Sequence, residues 1–323
     1  MNTASGDRSA LVGVDLKFGN FPFVSYSVMK RFLTLLSLLA LPLQAAPMKV
    51  ASLHPLISDL VQKVGGSQVE VLSVMKPGAD VHHFEPSGKD IAAMKNTRIL
   101  FASGKHLESY LDKMRDSIGA GVKIVEVGRL VPSVVLNPDQ AIFVCCPAHA
   151  KNGIDPHWWH SADAMKRAAR IVADELAEAD PANKEIYEAG GKAAAAEFDS
   201  LKKWAQQQIS VIPRDARKLV TAHAAFGYFC KEYGFKAVPI LGLSRESETS
   251  PQYIATAIQV IRDNKIRAVF PEDQANPKVL TEIVRDTGVK IGEPLIADGT
   301  SPQAHTFETM LRHNVAAIVK ALQ

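Results

Sequence analysis

The sequence has little that could hold a fold covalently or steer it by charge. Cysteine occurs three times in 323 residues. That is too few for a disulfide scaffold, and the odd number leaves at least one thiol unpaired in a monomer. Aromatic residues make up 7%. No basic run interleaves with them, so nucleic-acid binding has no support. The formal net charge is only +3. No apolar run reaches the roughly 20 residues that span a bilayer. There is no His-Glu-x-x-His and no paired-carboxylate metal motif of a hydrolase. Against these absences stand 47% hydrophobic residues, enough to bury real cores, and ten histidines.

The amino-terminal residues read as an address. Met29-Lys30-Arg31 is followed by an apolar run over 32–43 and by Gln44-Ala45-Ala46. This is the n-region, h-region and small-residue cleavage site of a secretory signal peptide, cut after Ala45 or Ala46. An uncleaved membrane anchor is the competing reading. Residues 1–28 are expected to be an upstream extension and 29–46 the signal peptide, with Met29 as the natural start. No cysteine sits at the cleavage site to take a lipid, so export as a free periplasmic protein is expected. Residues 1–45 carry a net charge of +2, leaving +1 for the rest. No charge steering follows from so small an excess.

Beyond residue 46, β-branched runs alternate with helical periods. Strands are expected over 49–53, 69–74, 99–102 and 123–127, with helices over 55–64, 87–95 and 107–118 between them. A second series has strands over 218–221, 237–240, 268–270 and 290–291, with helices over 224–233, 251–264, 277–286 and 307–322. Repeated βα units of this length favour parallel sheets covered by helices. Between the series, one helix is expected over 161–179 and a longer one over 182–209, about 40 Å at 1.5 Å per residue. Such a helix is long enough to bridge two lobes, although Gly190-Gly191 interrupts it or marks a kink. The expected architecture is α/β, with two lobes of four parallel strands each: 47–180, a bridging helix over 181–210, and 211–323. The stretch 131–156 is the longest without periodicity, and long loops in compact domains are usually functional.

Four positions are expected just beyond strand ends, the edge at which parallel sheets bind ligands. They are His82, in Gly78-Ala79-Asp80-Val81-His82-His83-Phe84-Glu85-Pro86; His157, in Asp155-Pro156-His157-Trp158-Trp159; His223, in Thr221-Ala222-His223-Ala224-Ala225-Phe226-Gly227-Tyr228; and Asp298, in Pro294-Leu295-Ile296-Ala297-Asp298. Their spacings of 75, 66 and 75 residues are far too long for a zinc finger and fit a site assembled between lobes. Three neutral imidazoles and one carboxylate suit Zn²⁺, and Mn²⁺ less well.

These motifs resemble those of the cluster A-I, zinc and manganese, solute-binding proteins of ABC importers, from Met48 to Leu322. The stretch Phe270-Pro271-Glu272-Asp273-Gln274-Ala275-Asn276-Pro277-Lys278 carries a fifth matching motif. The resemblance implies His82, His157, His223 and Asp298 as metal ligands, with His82 rather than His83 in the first motif. It implies that the protein captures a metal and hands it to an ABC permease in the inner membrane, with no chemistry of its own. A histidine at position 223 points to Zn²⁺, since manganese-preferring members often have a carboxylate there; Mn²⁺ is the alternative ion. A zinc hydrolase and a metal-dependent adhesin are the other readings. A periplasmic metallochaperone is a further partner to consider, and a monomer is expected.

The sequence departs from the family pattern in places. Val81 replaces a usual proline, and His160-Ser161 replaces a usual Leu-Asp, which leaves His160 as a spare ligand or a pocket wall. Cys145, Cys146 and His149 could capture soft metal, one of these cysteines could bridge to Cys230, or all three could be plain thiols and loop. Asp155 and Glu272 are expected to orient ligand imidazoles, and His83 to sit at the rim. His54, His106, His305 and His313 read as helix caps or surface residues.

Overall fold

The computed structural model describes residues 46–135, 153–221, 223–238, 251–272 and 277–323. Four parallel strands form the first sheet: β1 (Met48–Ser52), β2 (Val69–Ser73), β3 (Ile99–Ala102) and β4 (Lys123–Glu126), in the order β2-β1-β3-β4. Val50 pairs with Val71 on one side and Ile99 on the other. Side chains alternate across a strand, and here both faces are apolar, as in sheets covered on both sides. Val50, Ile99 and Phe101 enter a large core, while Ala51, Leu53, Leu100 and Ala102 enter a smaller one. Helix α1 (Pro55–Gly65) covers the large core, and α2 (Gly88–Met94) and α3 (Leu111–Ile118) cover the smaller one.

Helix α3 starts four residues later than the periodicity suggests. Gly104, Lys105 and His106 all have positive φ, at 78°, 55° and 64°. The Glu108 carboxylate folds back to accept from the Ser103 and Gly104 N–H groups at 2.6 and 2.9 Å. That local turn takes up the residues a first helical turn would need.

The second half has β5 (Lys218–Leu219) paired with β6 (Lys236–Ala237), and β7 (Ala268–Val269) paired with β8 (Lys290–Ile291), all parallel. A parallel bridge between Thr221 and Phe270, with Phe270 N–H donating to Val220 at 2.9 Å, joins the pairs in the order β6-β5-β7-β8. The strands are shorter than expected, and residues 239–240 lie outside the described residues. Helices α6 (Gly227–Tyr233), α7 (Pro251–Asp263), α8 (Pro277–Thr287) and α9 (Phe307–Leu322) follow the expected order, with α4 (Ala162–Ala179) and α5 (Lys184–Ile209) between the halves.

Helix α5 runs through Gly190-Gly191, so the pair does not interrupt it. The two glycines serve close packing. A Cβ on Gly190 would lie 2.1 Å from the Val64 carbonyl oxygen of α1, and one on Gly191 would lie 2.7 Å from the Ala173 Cβ of α4. Salt bridges Lys63–Glu197 at 2.8 Å and Lys166–Asp199 at 2.7 Å fasten the same contacts. Farther round the same helix Phe198 meets Phe307 of α9 edge-on at 5.2 Å, and Arg312 of α9 lies 4.5 Å from the Trp204 ring centroid. The large core is continuous from Val50 to Leu322. Pro47–Gln323 accordingly form one compact unit. Among the described residues, no helix is long and apolar enough to cross a membrane.

Candidate metal centre

Three of the four singled-out residues do follow strands. His82 lies in the loop after β2, His223 after β5, and Asp298 after β8. His157 does not. It follows the long loop and enters the 3-10 turn Trp158–His160 that leads into α4. The antiparallel bridge Val135–Ile154, with Asp155 N–H donating to Val134 at 3.0 Å, closes the base of that loop and delivers His157.

The fold brings the four together, with one donor atom from each within 4.8 Å of every other. The His157 Nε2 is 3.1 Å from that of His82 and 3.4 Å from that of His223. The Asp298 Oδ1 is 3.4 Å from His82, 3.6 Å from His223 and 4.0 Å from His157. A tetrahedral ion with bonds of about 2.05 Å has donor–donor edges of about 3.3 Å, close to most of these distances. His157 and Asp298 are buried, and the His82 and His223 side chains are 7% and 12% exposed.

The outward-facing atoms fix the proton positions. Asp155 Oδ1 accepts both the His157 backbone N–H at 2.9 Å and its Nδ1–H at 2.8 Å. Glu272 receives His223 in the same way, Oε1 taking the backbone N–H at 2.9 Å and Oε2 the Nδ1–H at 2.5 Å. An ionised carboxylate only accepts, so with Asp155 and Glu272 ionised Nδ1 carries the proton in both rings and each Nε2 presents a lone pair inward. Burial drives the Asp298 carboxyl upward, but once the rings are protonated the hydrogen bond from His82 and the charges of His82, His223 and His157 outweigh it. They hold Asp298 well below the ordinary carboxylate range. Inward lone pairs and an ionised carboxylate at these separations form a cradle for a cation.

Gly227, at the start of α6, belongs to the same construction. A Cβ there would lie 2.3 Å from the Asp155 Oδ2, which accounts for a glycine in the Phe226-Gly227-Tyr228 motif. Burial raises Asp155 itself to about 7, against the His157 backbone hydrogen bond and the charges of His223 and Lys105.

The remaining histidines divide. His83 sits at the rim, its side chain 55% exposed and its Nδ1 3.0 Å from Asp80, whose other oxygen takes the His82 backbone N–H at 2.9 Å. His106 and His305 are exposed, and His313 donates to the Pro294 carbonyl at 2.8 Å. His54 is the expected cap, its Nδ1 accepting from Leu56 N–H at 3.3 Å. It is buried all the same, stacked 4.3 Å from the Trp159 ring, and burial lowers it to about 3. His160, read as a spare ligand or a pocket wall, does not join the four ligand candidates. It is buried, outside the four-residue cluster, and its Nε2 donates to the Ala297 carbonyl at 2.7 Å. Among the described residues, Cys230 is a buried free thiol in α6. Cys145, Cys146, His149 and the signal segment 1–45 lie outside the described residues, as do Ala222 and the middle of the fifth motif, 273–276.

The sequence reading missed two sets of contacts around this site. Glu232 of α6 accepts from the Ser161 hydroxyl and from the Ala162 N–H at the start of α4. Asn314 of α9 holds Ile296 through two 2.9 Å bonds. The available signal was composition: a polar residue within an apolar helix face, as Asn314 is in α9, needs a buried partner.

Residues 50–321 match the family model of ZnuA, the periplasmic component A of a zinc-uptake complex. The manganese-binding lipoprotein MntA of Bacillus subtilis is 30% identical over 275 residues, 83% of this chain and 87% of that protein. The iron-binding protein YfeA of Yersinia pestis is 29% identical over 279 residues, 85% of this chain and 86% of its own length. Among solved structures, the periplasmic zinc-binding protein TroA of Treponema pallidum superposes with a TM-score of 0.75 at 24% identity, covering 85% of this chain and 99% of that one. The chain belongs to the ZnuA family of metal-binding, periplasmic-type solute-binding proteins of ABC transporters.

Proposed function

We propose that the protein captures Zn²⁺ in the periplasm, on His82, His157, His223 and Asp298, and delivers it to an ABC permease in the inner membrane. The observation that carries this is the tautomer assignment. Two imidazoles whose Nδ1–H groups are committed to Asp155 and Glu272 turn their lone pairs toward Asp298 and toward each other. These four donor atoms face one another at the edge lengths of a coordinated ion, and three nitrogens with one oxygen favour Zn²⁺. The metal is cargo, held by coordination alone. Residues 47–180 and 211–323 serve as two lobes joined by 181–210, and the chain acts as a monomer after cleavage of residues 1–46.

Manganese is the second reading, favoured by the manganese-binding name of the MntA relative. The experiment is competitive titration of the metal-stripped mature chain with Zn²⁺ and Mn²⁺, paired with metal analysis of protein purified from cells grown with both ions. One tightly bound Zn²⁺ is expected, lost in His82→Ala and His223→Ala. Preferential loading with Mn²⁺ would replace the zinc assignment. Binding unchanged in those variants would defeat the site.

A further inference from the structure

The turn that follows His157 sends its side chains to the elements around the metal centre. Trp158 Nε1–H donates to the Ser103 carbonyl at 3.2 Å, beyond β3. Trp159 Nε1–H donates to the Ala297 carbonyl at 3.1 Å, and His160 Nε2–H donates to that same oxygen at 2.7 Å. Ala297 immediately precedes Asp298. Trp159 and His160 are each 1% exposed, so neither N–H has water as an alternative partner. A carbonyl has two lone pairs, and here both are used. Because an unmet buried donor is costly, the two bonds hold the loop at one distance and orientation.

We infer that Trp159 and His160 are positioning residues that lock Asp298 against His157 and so set how long the metal stays bound. This rests on the assignment of His157 and Asp298 as ligands. The donors lie two and three residues from His157 and the acceptor lies one residue from Asp298, so little chain intervenes to loosen the link. The loop has no slack from behind. Leu295 N–H donates to Pro271 at 2.8 Å, and Asn314 grips Ile296 on both backbone groups. His160 is also fixed as a ring, 4.4 Å from Phe226, the residue before Gly227. The Phe226 side of the site and the Asp298 side therefore meet through one imidazole that does not itself face the metal.

The test uses the mature chain loaded with Zn²⁺, and with Co²⁺ as a spectroscopic stand-in. His160→Leu keeps the bulk and removes the donor, while His160→Gln restores a side-chain N–H. Trp159→Phe removes the other donor and serves if the leucine variant does not fold. The leucine variant should lose Zn²⁺ to a chelator about 10–100-fold faster, the range for partners that orient a metal site. Its Co²⁺ visible bands should change, and the glutamine variant should return both readouts close to wild type. Wild-type dissociation and spectra in His160→Leu and Trp159→Phe would overturn the inference while leaving the four ligands standing. So would a folded His160→Gln no better than His160→Leu. A wild-type chain that takes up neither metal overturns both.

Discussion

Glu272→Gln is the sharpest perturbation of the centre, because it changes one atom and creates a conflict that no rotamer resolves. Both Glu272 oxygens accept from His223, one from the backbone N–H and one from Nδ1–H. A glutamine offers one acceptor and one donor. If its amide nitrogen faces the backbone N–H, two donors meet in a buried place. If it faces the ring, Nδ1 must become the acceptor, and the proton moves to Nε2, the atom that would bind metal. Either outcome removes an orienting bond or blocks a ligand, with a cost of about 10–100-fold in affinity, or about 1.4–2.7 kcal/mol. The assay is Zn²⁺ competition against a chromophoric chelator, run beside a melting curve of the metal-free protein. Glu272→Asp, which keeps the charge but shortens the reach, is the companion. Zn²⁺ affinity within two-fold of wild type in Glu272→Gln would refute the reasoning, since it would mean that the tautomer of His223 is not set here.

Gly190→Ala should lower the metal-free melting midpoint by up to several degrees, with a net loss of up to about 2 kcal/mol: overpacking costs about 1–3 kcal/mol, whereas the same change at an open helix position gains about 1 kcal/mol. A raised midpoint would show that α1 and α5 can part without cost. Gly227→Ala should displace the Asp155 carboxylate and weaken Zn²⁺ binding about ten-fold or more, read by the same competition assay; unchanged binding would count against the role of Asp155. His54 gives a pH signature. Burial holds it at about 3 in the folded chain against 6.5 when unfolded, so the unfolded chain alone takes a proton as pH falls below 6.5, and stability drops by up to about 1.4 kcal/mol per pH unit. His54→Asn keeps an N-cap acceptor without that proton. Denaturant titrations of the metal-free forms should therefore show a shallower acid limb for the variant, by up to about 2.7 kcal/mol between pH 6.5 and 4.5; parallel limbs would contradict the burial argument.

Much of the fold was legible because periodicity reports burial directly. The first-sheet strands and α9 appear within a residue or two of their expected bounds. What failed depended on particular contacts that periodicity does not report. Nothing near Gly190 says that the Val64 carbonyl will press against it, so a close contact read as a break. The start of α3 was misplaced because Glu108 binds backward to Ser103 and Gly104, which a helical period does not register. At the site, the residues brought together were visible as motifs. So were the orienting carboxylates, Asp155 on His157 and Glu272 on His223, although their distances were not. His160 shows the same limit. Its type and place suggested a ligand, and its role emerged only with the Ala297 carbonyl 137 positions away.

The single large core also constrains when this protein can become itself. Its members run from Val50 on the first strand to Leu322 at the penultimate position, and Phe198 in the middle of the chain closes against Phe307 near the end. A nascent chain that still lacks its last sixteen-residue helix therefore leaves an apolar face of α5 uncovered. The first sheet can pair early and take α1 on its face, but α5 stays open until the carboxy-terminal helix arrives. Long-range closure of this kind is slow and exposes sticky intermediates. Truncation by even a few carboxy-terminal residues should therefore cost solubility before it costs any metal ligand.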